Sequence, residues 1–282
     1  MNRIDAKFAE LRRRGKTALI PFVTAGDPDL GTTFKILRVL EESGADLIEL
    51  GVPFSDPMAD GPTIQRASER ALKGGTSLAR VLELVRKFRR KSEVPLILFG
   101  YYNPFFRYGV RRLAAAAKEA GVDGILCVDL PPEESGELKR WTDRAGLDLV
   151  FLLAPTSHSE RVKLVAREGR GFIYYVSVTG VTGARKSLEN HLHAQVARLH
   201  RATSLPVGVG FGVSMPQQAA RIASFAEAVV VGSALIEVME GAERNQEKVK
   251  RAGAFVARLK RAMNGLERRQ AKRRAQSAKR RA

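Results

Sequence analysis

One carboxylate stands where the local pattern calls for an apolar side chain. Residues 45–52 read ADLIELGV, and Glu49 interrupts the run that is otherwise apolar from Leu47 onward. Because side chains alternate between the faces of a strand, Glu49 shares a face with Leu47 and lies opposite Ile48 and Leu50. An unpaired ionised carboxylate is costly to bury, so Glu49 should either find partners or hold a proton.

Further polar residues, two of them acids, follow this run. Pro53 closes it, and the loop behind it carries Ser55, Asp56 and Asp60. An acid late in a strand and another in the following loop can reach the same ligand. Glu49 and Asp60 are therefore a candidate acid/base pair.

A second group of residues suits a phosphate. Glycines end three later apolar runs: Gly180 and Gly183 in TGVTGAR, Gly210 and Gly212 in GVGFGVS, and Gly232, followed by Ser233, in VVGSALIE. Backbone N–H groups of such loops bind phosphate when they open a helix. A single glycine more commonly serves a tight turn, but three such ends together favour an anionic ligand.

Aromatic side chains recur near the same run ends and would suit a flat apolar ring. They are Phe22, Tyr101, Tyr102, Tyr174, Tyr175 and Phe211. Each alone is more typical of a core than of a site. Together with a phosphate grip, they indicate a ligand with an aromatic end and a phosphate end.

Eight short apolar runs must position these residues, and helical patterns separate them. The runs are Ala18–Gly26, Ala45–Pro53, Val94–Tyr101, Val122–Leu130, Leu147–Pro155, Gly171–Val178, Pro206–Gly212 and Ala226–Gly232. Strand and helix alternating eight times predict an α/β fold, a single (β/α)8 TIM barrel. The loops 53–60 and 179–190 both follow strands, on the face where barrel active sites form.

Both ends of the chain add to the barrel. Ile4, Phe8 and Leu11 predict an extra amphipathic N-terminal helix that closes the barrel bottom. The formal charge of +18 is concentrated late, because the last fifteen residues carry eight Lys or Arg and no acid. We therefore predict a catalytic domain over 1–262 and a basic, disordered tail over 263–282. The tail is either a solvated extension or an arm for a polyanion such as nucleic acid.

Several other classes of protein fit poorly. Cys127 is the only cysteine, which excludes an intramolecular disulfide and suits the cytoplasm. The sequence has no apolar run long enough for a membrane span. His191 and His193 are two residues apart on a predicted helix, so they cannot share one metal, and we expect no metal site. We find no nucleotide-binding glycine motif.

Five separated segments carry a more specific signal. The segments LIELGVPFSDPMADGPTIQ, YYNPFFRYG, DLPPEES, YYVSVTGVTGAR and VGFGVS resemble, in order, those of the tryptophan synthase alpha chain family. The similarity runs from about residue 2 to residue 262. It implies a lyase that cleaves indole-3-glycerol phosphate to indole and glyceraldehyde 3-phosphate, without a cofactor in this chain.

The resemblance also implies catalytic roles. Glu49 would protonate the indole carbon that loses the glyceryl group, and Asp60 would hold the indole N–H. Tyr174 would orient Glu49 or the glycerol hydroxyls. We expect the apolar surroundings to raise the pKa of Glu49 toward neutrality, while Asp60, in a solvated loop, stays ionised.

Binding roles follow in the same way. The implied phosphate grip comprises Gly183, Phe211, Gly212, Gly232 and Ser233. The implied indole pocket and its closing loop comprise Phe22, Leu126, Asp129 and Thr182. The family partner is a beta chain that holds pyridoxal phosphate, which implies an alpha2-beta2 heterotetramer docked through residues 53–60 and 102–108. A free-standing lyase and a polyanion-binding protein are the competing interpretations.

Overall fold

Parallel strands close into a barrel in chain order. The computed structural model describes residues 2–176, 185–210 and 212–279, and these include eight strands. The strands are β1 (Ala18–Thr24), β2 (Ile48–Gly51), β3 (Leu96–Gly100), β4 (Gly124–Cys127), β5 (Asp148–Leu153), β6 (Ile173–Val176), β7 (Val207–Gly210) and β8 (Ala228–Val231). Strand β8 pairs with β1, so the predicted α/β fold, a (β/α)8 TIM barrel, is confirmed.

Helices link the strands and cover the outside of the barrel. In the described part of the chain they are α1 (Arg3–Arg13), α2 (Leu30–Glu42), α3 (Pro62–Lys73), α4 (Leu78–Arg89), α5 (Tyr102–Tyr108), α6 (Val110–Ala120), α7 (Gly136–Ala145), α8 (Ser159–Glu168), α9 (Arg185–Ala202), α10 (Pro216–Ile222), α11 (Ser233–Glu240) and α12 (Asn245–Lys279). Helix α4 buries Leu78, Leu82, Val85 and Phe88, which share one face of the helix by their spacing.

Strand side chains divide between two apolar layers. Those that point outward, such as Ile48 and Leu50, pack beneath the helices. The inward set fills the barrel and comprises Ala18, Ile20, Leu47, Ile97, Leu126, Val150, Phe172, Ala228 and Val230. Glu49 is therefore an acid on the inward face, as the alternation predicts, because its neighbours in sequence point outward.

Helix α1 closes the amino end of the barrel, as predicted. Its side chains Ile4, Phe8 and Leu11 are buried in the interior cluster, and the rings of Phe8 and Phe172 have centroids 5.7 Å apart. An ion pair of 3.0 Å between Arg3 and the buried Asp123 fixes its start. The amino end of the barrel is thereby filled, which leaves the carboxyl ends of the strands for a ligand.

Helix α12 packs on α2, α10 and α11 and then continues into the basic segment. Its backbone is helical as far as Lys279, whereas the sequence led us to expect disorder after residue 262. The domain boundary at 262 stays a prediction. Among the described residues, no helix combines the length and the apolar character that crossing a membrane requires.

Candidate active site

Glu49 is an acid without a partner inside the barrel. It lies in β2 between Phe22 of β1 and Ile97 of β3, and its side chain is fully buried. Neither carboxylate oxygen has a hydrogen-bond partner among the described residues. Burial raises the pKa of Glu49 from 4.5 to about 8, as the sequence led us to expect, so the carboxyl group is mostly protonated at neutral pH.

Aromatic rings surround this acid within the barrel. The ring centroids of Phe22 and Phe99 are 5.0 Å apart in an edge-on arrangement, and those of Phe99 and Tyr174 are 6.5 Å apart. Phe22 is almost fully buried, and its partner Phe99 also packs against the interior cluster that contains Leu126. That Phe22 and Leu126 line an indole pocket stays a prediction. Phe99 was not among the predicted site residues. Strand alternation places Phe99 on the inward face, because it is two residues from the inward-facing Ile97.

Tyr174 of β6 completes a group of three polar side chains. Burial raises its pKa, and the nearby carboxyl groups of Glu49 and Asp60 raise it further. The structure thus brings together the three residues that the sequence singled out for catalysis. Gly210 of β7 makes room for the phenol, because a Cβ atom there would lie 2.3 Å from the Tyr174 hydroxyl oxygen.

Asp60 lies on the loop between β2 and α3, over the carboxyl end of the barrel. A turn fixes it, since its N–H donates to the Pro57 carbonyl at 3.0 Å and its own carbonyl accepts from Gln65 at 2.8 Å. The Tyr101 hydroxyl accepts from the Ala59 N–H at 3.0 Å and is hydrogen-bonded to the Asp60 side chain.

The surroundings of Asp60 differ from the solvated loop that we expected. Burial raises its pKa to about 6, and the hydrogen bond from Tyr101 opposes this rise. Asp60 is still ionised at neutral pH, while Glu49 is not, so the two acids carry opposite protonation states. The other two polar residues of the loop, Ser55 and Asp56, are exposed and bond to each other at 2.5 Å.

The predicted phosphate grip is described only in part. Thr182, Gly183 and Phe211 lie outside the described residues. Gly212 is exposed at the rim with a φ of 73°, a left-handed conformation that favours glycine. Gly232 caps α11 and Ser233 begins it, so this helix directs its N-terminal N–H groups and its dipole to the rim.

The rim adjoins the aromatic pocket directly. A Cβ atom on Gly232 would lie 3.6 Å from the Phe22 ring, which itself borders Glu49. An elongated ligand could therefore place an anionic end at α11 and a flat ring beside Phe22. These elements together offer a proton donor, an ionised acid and an anion-binding helix terminus at the carboxyl end of the barrel.

Asp129 has a structural partner that the sequence did not indicate. It is exposed, and its Oδ1 atom accepts from the Tyr102 N–H at 2.7 Å and contacts the Cys127 sulfur at 3.4 Å. Asp129 therefore ties the loop after β4 to the first turn of α5. Within the described residues, no group of His, Cys, Asp and Glu is arranged to hold a metal ion.

Known proteins resemble this chain over nearly its whole length. The family described as "Tryptophan synthase alpha chain" matches residues 8–264. The tryptophan synthase alpha chain of Geobacter sp. (strain M21) is 58% identical over 260 residues, which cover 92% of this chain and 97% of that relative. The relative from Thermoanaerobacter sp. (strain X514) is 44% identical over 92% of this chain and 99% of its own.

Solved structures agree with the sequence comparison. Tryptophan synthase subunit alpha from Legionella pneumophila str. Paris superposes with a TM-score of 0.88 at 40% identity, covering 94% of this chain and 99% of that one. A chain of M. tuberculosis tryptophan synthase in an aminoacrylate-bound form superposes with a TM-score of 0.83 at 34% identity. The match covers 93% of this chain and 100% of that one. The chain therefore belongs to the tryptophan synthase alpha chain family, a lyase family whose reaction is the cleavage of indole-3-glycerol phosphate in tryptophan biosynthesis.

Proposed function

We propose that Glu49, Asp60 and Tyr174 carry out this cleavage, with Glu49 as the proton donor. The observation that carries the assignment is the fully buried and unpartnered Glu49 carboxyl group, which holds its proton at neutral pH. Breaking the bond between the indole ring and the glyceryl group requires a proton on the ring carbon. Only a protonated acid can deliver it, and a dry apolar site keeps the acid protonated.

The proton movements balance over one turnover. Glu49 gives its proton to the ring carbon that bears the glyceryl group, which leaves a carboxylate on the enzyme and positive charge on the ring. The carboxylate then takes the proton of the neighbouring glycerol hydroxyl as the carbon–carbon bond breaks and its electron pair returns to the ring. Indole and an aldehyde result, and Glu49 is again protonated.

Asp60 would stabilise the positive charge that forms on the indole ring between these two proton transfers. An ionised carboxylate can accept the indole N–H and stabilise the ring while it is protonated. Its pKa of about 6 leaves it ionised at neutral pH, and Tyr101 holds the loop that carries it. Tyr174 lies within electrostatic range of both acids and would orient Glu49 or the glycerol hydroxyls.

The phosphate would be held at the carboxyl end of the barrel by Gly212, Gly232 and Ser233. The α11 terminus supports this, because its N–H groups and dipole favour an anion. The family resemblance adds Gly183 and Phe211 to the grip and Thr182 to the closing loop. Phe22, Leu126 and Asp129 would line the indole end of the pocket.

Glu49→Gln tests the central assignment, because an amide has the shape of the acid but donates no proton. We expect kcat to fall by about 10²–10⁴-fold, the usual contribution of a positioned acid or base. Binding of glyceraldehyde 3-phosphate should change little, since the phosphate grip is separate. Indole release and product binding measure the two effects, and the exposed Glu119→Gln is the matched control. Appreciable residual cleavage by the Glu49 variant would contradict the assignment.

The partner in this proposal is a tryptophan synthase beta chain in a cytoplasmic alpha2-beta2 heterotetramer, and pyridoxal phosphate would belong to that partner. Exposed apolar side chains on the two expected docking segments support it. Met58, in the loop after β2, is 86% exposed, and Phe106, on α5 after β3, is 55% exposed. Exposed apolar groups beside a cavity mouth suit an interface through which an apolar product passes.

Adding a beta chain tests this partnership. We expect slow indole release by the isolated chain and faster release on assembly, because docking would order the loops at the cavity mouth. Phe106→Asp should weaken the acceleration and leave the isolated rate unchanged, while the exposed Arg13→Ala should change neither. A full rate without any partner would favour a free-standing lyase.

A further inference from the structure

Five exposed arginines lie together on the outer face of α5, α6 and α7. This arginine face comprises Arg107, Arg111, Arg112, Arg140 and Arg144. It lies outside the barrel on the side of β4 and β5, and the proposed catalytic residues do not include it. Of its members, only Arg107 belongs to the segment 102–108 that is expected to dock the beta chain. The basic segment at the end of α12 is attached elsewhere, because α12 packs on α2, α10 and α11.

Three of these guanidinium groups surround one indole ring. The central carbons of Arg111, Arg140 and Arg144 lie 5.2, 4.9 and 4.9 Å from the centroid of Trp141, the only tryptophan of the chain. Beside them, the guanidinium of Arg112 lies 4.6 Å from the Tyr108 ring. Cation–π contacts hold these side chains in place, and the planar guanidinium groups remain able to bind anions.

Three of the neighbouring acids are engaged elsewhere. Asp143 pairs with Lys139 at 2.6 Å and with Arg170 at 2.8 Å, Glu119 pairs with Arg86, and Glu133 pairs with Arg161. Within the part of the chain that the structure describes, none of the five arginines forms an ion pair with a carboxylate. The acid of the groove lining, Glu137, is hydrogen-bonded to the Tyr102 hydroxyl at 3.5 Å, so five positive charges face one carboxylate. A bound anion would relieve the repulsion that remains.

A groove runs through the arginine face. It encloses about 520 Å³ between α6 and α7, and its lining includes Arg111, Arg112 and Trp141 with a single acid, Glu137. The basic groups extend along two helices, since Arg140 and Arg144 are one turn apart on α7 and Arg111 lies in the first turn of α6. A row of charges with ring surfaces between them suits an extended ligand that carries both phosphates and bases.

We propose that the arginine face binds single-stranded nucleic acid. Its phosphates would pair with the five guanidinium groups, and its bases would stack on guanidinium planes and on the exposed part of Trp141. The cations of the arginine face are all arginines, which bind phosphate in a bidentate manner. The sequence had led us to consider nucleic acid only for the basic C-terminal segment.

Trp141 makes a direct measurement possible. Because it is the sole tryptophan, a change of tryptophan fluorescence on titrating the full-length protein with oligouridylate of about 12 nucleotides reports binding at this face. We expect quenching, together with an affinity that falls with salt at a slope of about −3.5 if all five arginines contact phosphate.

Binding of a labelled oligouridylate to variants of the protein, measured by fluorescence anisotropy, then tests where it binds. Arg111→Ala with Arg112→Ala should weaken binding about tenfold and lower the salt slope by about 1.4. Two matched pairs remove the same charge elsewhere: Arg13→Ala with Arg90→Ala at the opposite end of the barrel, and Arg280→Ala with Arg281→Ala in the basic segment. Indole release should be unchanged in all three, which confirms their folding.

Three outcomes would overturn the proposal. One is unaltered affinity in the Arg111 and Arg112 variant, and another is the main loss of affinity in the Arg280 and Arg281 variant. The third is equally tight binding of polyglutamate, which would point instead to an acidic protein segment.

Discussion

At the scale of single residues, two acids with opposite protonation states should set the pH dependence of cleavage. In the proposed mechanism Glu49 acts protonated and Asp60 ionised. The pKa of Glu49 is raised to about 8, so kcat/KM should fall as pH rises through 8. Asp60 must be ionised and its pKa is raised to about 6, so the rate should also fall as pH drops below 6. We expect a bell-shaped profile with its maximum near pH 7.

A substitution can assign the acidic limb of this profile. Tyr101→Phe removes the hydrogen bond that lowers the pKa of Asp60, so the acidic limb should move to higher pH while the alkaline limb stays. A profile measured in steps across pH 5–10 distinguishes the limbs. Movement of the alkaline limb alone would show that Asp60 does not control the acidic side.

The sequence predicts Glu49 because one acid breaks an apolar pattern, and such a break needs no knowledge of the fold. It did not predict how much of Asp60 is buried, because that depends on Tyr101, which reaches it from the end of another strand. It also could not assign Asp129, whose bond to the Tyr102 N–H joins two loops that are 27 residues apart. Local patterns reveal the reactive groups, but their environments come from long-range packing.

At the scale of elements, β7 controls the position of a side chain on β6. A Cβ atom on Gly210 would lie 2.3 Å from the Tyr174 hydroxyl oxygen, too close for either atom to stay in place. Gly210→Ala should therefore displace Tyr174 and lower kcat by up to about 10²-fold, the cost of misplacing a catalytic group by roughly an ångström. Steady-state kinetics of indole release would detect the change.

The matched control is Gly136→Ala at the start of α7, where a Cβ atom meets no atom within 4 Å. That variant should keep the parental kcat. Equal rates for both glycine variants would mean that the position of Tyr174 does not limit turnover.

At the scale of the whole molecule, we expect the amino end of the barrel to contribute to stability and the carboxyl end to catalysis. Helix α1 fills the amino end, and the proposed catalytic groups lie toward the other end. Phe8→Ala removes a buried ring that packs on Phe172, so it should lower the free energy of unfolding by about 3–5 kcal/mol. Denaturant unfolding measures this loss, and kcat at a temperature where the variant is folded should be unchanged.

The exposed Arg13→Ala on the same helix provides the comparison, with an expected change within about 0.5 kcal/mol. A fall in kcat for the folded Phe8 variant would contradict this division between the ends.

The overall architecture was predictable from the sequence, but the residues at which the strands begin and end were not. All eight apolar runs contain a strand, because parallel strands are buried on both faces and read as continuous apolar segments. The runs overestimate the strands, as with 122–130 against β4 (Gly124–Cys127), since Val122 and Leu130 are buried in the flanking loops. The basic segment is helical as far as Lys279, in keeping with the helix propensity of Arg, Lys, Gln and Ala, and the tail over 263–282 stays a prediction.

Cys127 gives this chain a practical property. Its thiol is buried on β4, and burial raises its pKa, so it is a poor nucleophile toward maleimides at neutral pH. As no other cysteine is present, one introduced at the exposed Arg13 on α1, away from the two expected docking segments, would be modified alone. A donor dye there and an acceptor on the beta chain would report docking by energy transfer, without rebuilding the protein on a cysteine-free background.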